Sequence, residues 1–240
     1  MKSVEILLTN FNGGDTIALC IESIRKFTAY PHTIHVYDDG TWETPRPEEG
    51  MTEGYRDLEY LRAIRDKGWI RLTEGGKRKM HGACVNKLMD ACTADLALIM
   101  DNDVQIVAPG WLEEMVEFQA KTDAALITTT EYFPHDDNTC INSWFVMVDM
   151  SKYPLIRDDW DYRVREDGKG DYRATGYWIY KNTLDRGLVW KPTPKSVEKK
   201  WRHYEHIAVL SAPQVGGNWA VRQQRYALIQ AELRRLRASA

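Results

Sequence analysis

The sequence predicts an α/β protein, with a mostly parallel central sheet, helices on both faces and a C-terminal helix. Three observations predict it. In the first half, short β-branched and aliphatic runs alternate with segments whose apolar residues recur every three or four positions. That is the order of strands and crossover helices that builds a parallel sheet. The runs are apolar nearly throughout rather than alternating, as strands buried on both faces are. Two of the runs also end in Asp clusters, at the carboxyl ends of strands where open α/β sheets bind ligands.

Val4 to Leu8 is the first strand. Asn10-Phe11-Asn12-Gly13-Gly14 breaks it, and Asp15 is expected to cap a helix reaching about Thr28, with Ile17, Ile21 and Ile24 on one face. Ile34 to Tyr37 is the next strand and ends at Asp38-Asp39-Gly40. Trp42 to Gly54 is rich in Pro, Glu and Gly and reads as a loop. Tyr55 to Asp66 reads as a helix, Trp69 to Leu72 as a short strand, and Gly75-Gly76-Lys77-Arg78-Lys79 as a basic loop. Cys84, Leu88, Ala91 and Cys92 share a helical face. Leu96 to Met100 is a fully apolar strand leading into Asp101-Asn102-Asp103, and Pro109 suits the first turn of a helix bearing Leu112, Met115 and Gln119.

After residue 122 the pattern changes. Ala124 to Thr128 and Trp144 to Val148 read as strands, and Asp158 to Tyr172 is charged and irregular. Tyr177 to Leu184 reads as a helix stopped by Gly187. Gly216 to Arg237 is a terminal helix with Trp219, Tyr226, Ile229, Leu233 and Leu236 as its apolar stripe. The organisation expected is one α/β domain over 1–210, changing character near 122, then a basic amphipathic helix over 211–240.

Composition narrows the function classes. A chain of 240 residues with 43% hydrophobic and 28% charged residues is that of a soluble globular protein rather than a disordered one. A net charge of −3 excludes a uniformly basic nucleic-acid coat but not a local basic patch. No apolar run is long enough to span a bilayer, and Ile6-Leu7-Leu8 is too short for the core of a signal peptide. The four cysteines contain no C-x-x-C pair, so neither a disulfide framework nor a zinc site is indicated, and a reducing cytoplasm is the expected location.

Asp101-Asn102-Asp103 is the sharpest chemical feature. At an extended strand end, residues i and i+2 point the same way, so two carboxylates there form a hard oxygen site for Mg²⁺ or Mn²⁺ with room for a diphosphate. A solvated turn is the alternative. Asp38-Asp39-Gly40 is similarly either a turn or a place where one carboxylate accepts hydrogen bonds from a base or ribose.

Taken in order, Thr9-Asn10-Phe11-Asn12, Val36-Tyr37-Asp38-Asp39-Gly40-Thr41, Ala83-x-x-Asn86 and Met100-Asp101-Asn102-Asp103 resemble the motifs of family 2 glycosyltransferases of GT-A fold. The resemblance covers roughly residues 4 to 120 and departs where the family's Arg before Asn is Val85. It implies a metal-dependent transferase moving a sugar from a nucleoside-diphosphate donor, UDP by family tendency, to a hydroxyl acceptor, with inversion. It implies a donor-binding half over 1–122 and an acceptor half over 123–210. Thr9, Asn10 and Asn12 would line the nucleotide pocket, with Asn86 on the third motif. Asp39 would read the base, Asp101 and Asn102 would meet ribose or diphosphate, and Asp103 with Asp101 would hold a divalent cation, Mn²⁺ or Mg²⁺. Lys77 and Arg78 would contact phosphate, or form a solvated basic loop.

The resemblance also implies a carboxylate base for the acceptor hydroxyl. Asp171, in Gly170-Asp171-Tyr172 ahead of a helix and Gly187, fits that element, with Glu166 and Asp167 as rivals. Late histidines serve as metal ligands in such enzymes. His203 or His206 could match, or either is a structural hydrogen-bond partner. Trp144 stands where the family carries an acceptor-side aromatic, and Tyr172 and Trp178 fall in the same half, so each is an acceptor platform or core packing.

Arg222, Arg225, Arg234, Arg235 and Arg237 give the last helix a basic face, for phosphates of an acceptor or simply for water. The acceptor is accordingly a glycan or a hydroxylated base in DNA, the base leaving its stack to react. Two other readings remain: a nucleotidyltransferase, although Asn10 to Gly14 lacks the basic residue its phosphate loop would bring, and a non-catalytic module that binds sugar or nucleic acid.

Overall fold

The computed structural model describes residues 1–41, 43–44, 56–79, 81–133, 138–158, 160, 176–204 and 219–239, with backbone alone at 130–133, 138–143, 177 and 219–223. The chain runs β1 (Val4–Asn10), α1 (Asp15–Phe27), β2 (His32–Asp38), α2 (Asp57–Asp66), β3 (Arg71–Glu74), α3 (His81–Ala91), β4 (Leu96–Met100), β5 (Val104–Ile106) and α4 (Trp111–Thr122). It continues through β6 (Leu126–Phe133), β7 (Asn138–Asp149), α5 (Tyr153–Ile156), α6 (Tyr177–Asp185), β8 (Trp190–Pro192), α7 (Lys195–Glu198), β9 (Trp201–His203) and α8 (Trp219–Ala238).

Seven strands form one sheet in the order β3-β2-β1-β4-β7-β6-β8. The first four are parallel, β7 is antiparallel to both β4 and β6, and β8 is parallel to β6. One face packs its apolar residues with α1 and α4, the other with α3 and α6. Leu96 through Met100 are all buried, which is why β4 carries no polar residue. Glu5 is the exception inside β1. It is 1% exposed and accepts a hydrogen bond from Arg71 Nη1 at 2.7 Å, with His35 Nδ1 at 3.4 Å. A buried carboxylate is kept only with such partners. β5 and β9 form a separate antiparallel pair.

Several expected boundaries move. Gly14, at φ 55°, is the residue before α1, and Asp15 is the first helical residue rather than a side-chain cap. Its Oδ2 accepts hydrogen bonds from Tyr226 Oη at 3.2 Å and Gln230 Nε2 at 3.0 Å, so it docks α8 instead. Pro109 lies outside α4, because Gly110 at φ 75° makes the turn and Trp111 begins the helix. β3 starts at Arg71, with Trp69 stacked under the Arg25 guanidinium, 3.4 Å from the ring centre. β6 begins at Leu126, β7 reaches back beyond Trp144, and β5, β8 and β9 were not anticipated, being three residues each. α8 lies on α1 through Ala18, Leu19, Ile229, Leu233 and Leu236. Gly187, at φ 64°, ends α6 as expected.

Candidate active site

The carboxyl ends of β1, β2 and β4 meet in one polar junction. Asn10 ends β1 and is 1% exposed. Its Nδ2 donates to Asp38 Oδ2 and to Asp57 Oδ2, both at 2.8 Å, and its Oδ1 accepts from Asn102 Nδ2 at 3.1 Å. Thr41 Oγ1 donates to Asp38 Oδ2 at 2.6 Å, and the Gly13 N–H donates to Asp57 Oδ2 at 2.9 Å. The loops after three strands and the start of α2 are thus tied by buried hydrogen bonds, which are stronger away from water. Asn10 and Asn102 stand inside this junction. Burial pushes the Asp57 carboxyl above its usual range, against the pull of the Asn10 hydrogen bond.

Asp39 sits beside the junction, 5% exposed, and its Oδ1 accepts the Lys79 N–H at 2.6 Å. Gly40, at φ 81°, allows the basic loop to press close, since a Cβ there would meet the Lys77 and Arg78 backbone at 3.2 Å. The Arg78 guanidinium lies 4.5 Å over the Phe11 ring, and Lys79 Nζ reaches Tyr37 Oη at 3.1 Å. Lys77, Arg78, Phe11 and Asp39 therefore share one wall. Asn12 is buried at φ 50°, a left-handed conformation that Asn tolerates, and its N–H donates to Thr41 Oγ1.

Thr9 Oγ1 is 2.9 Å from His81 Nδ1, and His81 Nε2 is 3.8 Å from Asp101 Oδ1. Asn86 Oδ1 accepts the Trp160 N–H at 3.2 Å, joining α3 to the second half. Asp101 keeps a third of its side chain open (33%), yet packing around it pushes its carboxyl up, an effect that His81 opposes and Asp103 reinforces.

Asp101, Asp103 and His203 are the metal-competent cluster among the described residues, their ligand atoms all within 4.8 Å of one another. The convergence does not come from extended alternation: residues 101–103 form a turn between β4 and β5. The β5–β9 pairing places His203 opposite Val104, and the Tyr204 N–H donates to the Asp103 carbonyl at 3.0 Å. His203 Nε2 then faces Asp103 Oδ1 at 3.1 Å. That oxygen is buried and accepts no hydrogen bond among the described residues. Two carboxylates and an imidazole, with a buried oxygen left to be satisfied, fit Mn²⁺ or Mg²⁺.

Trp144 is 8% exposed, and its ring is stacked on His203, 4.2 Å between centres and 20° between planes. Trp178 is half-buried on α6. Asp171, Glu166, Asp167, Tyr172 and His206 lie outside the described residues. Of the terminal arginines, Arg237 pairs with Glu22 at 2.7 Å, while Arg234 and Arg235 are exposed. Two polar residues of the site, Asp57 and His81, escaped the sequence reading. His81 had a signal in its position just ahead of Ala83-x-x-Asn86, whereas Asp57 had none.

This sheet, with acidic turns at its carboxyl edge and a metal-competent group beside them, has the GT-A architecture. The sequence profile described as Glycosyl transferase family 2 matches residues 5–165, and the chain belongs to that family. Among solved structures it resembles the mannosyltransferase PcManGT from Pyrobaculum calidifontis, determined with GDP-Man and Mn²⁺. The TM-score is 0.58 at 13% identity, over 80% of this chain and 55% of that one. It also resembles S. aureus TarS 1-349 in complex with UDP-GlcNAc, with a TM-score of 0.54 at 12% identity, over 96% of this chain and 72% of that one. This chain thus spans little more than half the length of the mannosyltransferase chain. No curated protein matches it in sequence.

Proposed function

We propose that the chain is a metal-dependent glycosyltransferase that moves a sugar from a nucleoside-diphosphate donor, UDP in our reading, to a hydroxyl acceptor. The observation that carries this is the convergence of Asp101, Asp103 and His203 beside the Asp39 wall, at the edge where β1, β2 and β4 end.

In this reading the base lies against Phe11 and Asp39, and Thr9 and His81 line the path from the base to Asp101. Lys77 and Arg78 close over the donor from the loop beside Gly40. Asp101, Asp103 and His203 would hold a divalent cation, which supplies Lewis-acid stabilisation of the departing diphosphate. The acceptor hydroxyl loses its proton to a carboxylate of the second half, for which Asp171 is the assignment and Glu166 and Asp167 the rivals. Such a single displacement inverts the anomeric centre. Trp178 and Tyr172 belong to the acceptor side. The acceptor carries its hydroxyl on a glycan or on a hydroxylated base in DNA, and Arg225, Arg234 and Arg235 offer phosphate contacts for the latter. The buried thiols of Cys20 and Cys84, free in the structure, suit a reducing cytoplasmic setting.

The test is release of nucleoside diphosphate from a panel of UDP- and GDP-sugars with Mn²⁺ or Mg²⁺. One donor should be hydrolysed slowly without acceptor, and the reaction should stop with chelator and in Asp103→Ala. No release from any donor, with or without candidate acceptors, would contradict the reading.

A further inference from the structure

We propose that Trp144 is a positioning residue for the cation site, gripping both arms of the ligand set at once. The proposal rests on the reading of Asp101, Asp103 and His203 as cation ligands. One arm is held through the backbone. β7 lies against β4 with Phe145 opposite Met100, and the Trp144 carbonyl accepts the Asp101 N–H at 2.9 Å. The other arm is held through the ring, which lies nearly parallel to the His203 imidazole at 4.2 Å.

His203 needs such a hold. It sits on β9, three residues long, whose one strand partner among the described residues is the equally short β5. A strand of that length, backbone-paired on one side, cannot by itself fix a ring plane. Trp201 and His203, two apart, share a face of β9 and insert together against β7. Trp201 meets Trp144 edge-on at 4.6 Å and stacks on Phe145 at 5.7 Å. Phe145 in turn contacts Trp111 of α4 at 6.0 Å between ring centres, so the clamp is anchored in the main core. The stack fixes the plane of the imidazole, and with it the direction in which Nε2 faces the cation position it shares with Asp103. An indole that is 8% exposed is poorly placed to cover a sugar but well placed to orient a ligand.

Residues that orient metal ligands without touching the ion typically cost about 10- to 100-fold in metal affinity when removed. The experiment titrates Mn²⁺ into the full chain, alone and with UDP or GDP, reading free Mn²⁺ by EPR and the bound ion's nitrogen coupling by pulsed EPR. His203→Ala marks the spectrum without that ligand. Trp144→Leu should bind Mn²⁺ about 10-fold or more weakly and lose or broaden the nitrogen coupling. Trp144→Phe, which keeps an aromatic face over the imidazole, should stay close to the native chain. If Trp144→Leu does not fold by circular dichroism, Trp144→Met, nearer in length, takes its place in the same titration. Native affinity and native nitrogen coupling in folded Trp144→Leu or Trp144→Met overturn the positioning role and leave the cation site standing. Absence of Mn²⁺ binding in the native chain overturns the cation site, and this inference with it.

Discussion

Replacing Asp57 with Ala probes the polar junction where β1, β2 and β4 end. The change strands the Gly13 N–H, now satisfied at 2.9 Å, and leaves one Asn10 Nδ2 hydrogen with only Thr41 Oγ1 at 3.2 Å in place of Asp57 at 2.8 Å, where Asp57 is 3% exposed. Each buried donor left without an acceptor costs about 1–3 kcal/mol. Relief of a desolvated carboxylate facing Asp38 offsets the weakened Asn10 bond, so a net loss of about 1–3 kcal/mol is expected. For a chain of this size each kcal/mol lowers Tm by about 2–4 °C, giving a drop on the order of 2–12 °C by calorimetry. Asp57→Asn keeps one acceptor oxygen and removes the charge, and should fall much nearer the native value.

The pH dependence supplies a sign. Burial raises the Asp57 pKa in the folded chain, so over the window between its ordinary value and the raised one the native state binds more protons than the unfolded state. Stability contributed by Asp57 is then present at the acid end and is lost as pH rises through that window. Urea unfolding across it should show the native chain gaining on Asp57→Asn as pH falls. A Tm for Asp57→Ala equal to the native one, or a difference from Asp57→Asn that does not change with pH, would refute the reasoning.

Two further outcomes follow from packing. In Gly13→Ala the new Cβ would stand 2.4 Å from Asn10 Oδ1 and 2.7 Å from Asn102 Nδ2, so the Asn102–Asn10 bond must open. A loss of about 1–3 kcal/mol by urea unfolding is expected, with weaker nucleotide binding by calorimetric titration. Leu233→Ala, at a position 3% exposed between α8 and α1, should cost about 2–5 kcal/mol and make α8 the first site of limited proteolysis.

Much of the first half was legible in the sequence because its signals are local. β1, β2 and β4 are apolar runs closed by Asn10, Asp38 and Asp101, and periodicity alone separates them from α1 and α3. The cation cluster was half legible. Asp101 and Asp103 stand adjacent to a buried strand, but the arrival of His203 depends on a pairing between two strands of three residues, a scale at which no hydrophobic pattern exists. Asp57 was invisible for a related reason. Its role is set by where α2 begins in space, and nothing in its own neighbourhood encodes a return to Asn10 and Gly13. Trp144 read as an aromatic in an acceptor half, and its stack on His203 is a long-range contact of the same kind. Asp15 shows a local rule outcompeted: the left-handed Gly14 makes the turn, which releases the carboxylate to dock α8.

The central claim, a nucleotide site completed by a cation on Asp101, Asp103 and His203, is tested most directly by thermal shift with nucleoside diphosphates and their sugars, each with and without Mn²⁺. A ligand that binds the native state alone raises Tm by mass action. The account predicts a shift with one base that needs Mn²⁺ and vanishes in Asp103→Ala. An equal shift in Asp103→Ala, or none with any nucleotide, would contradict it.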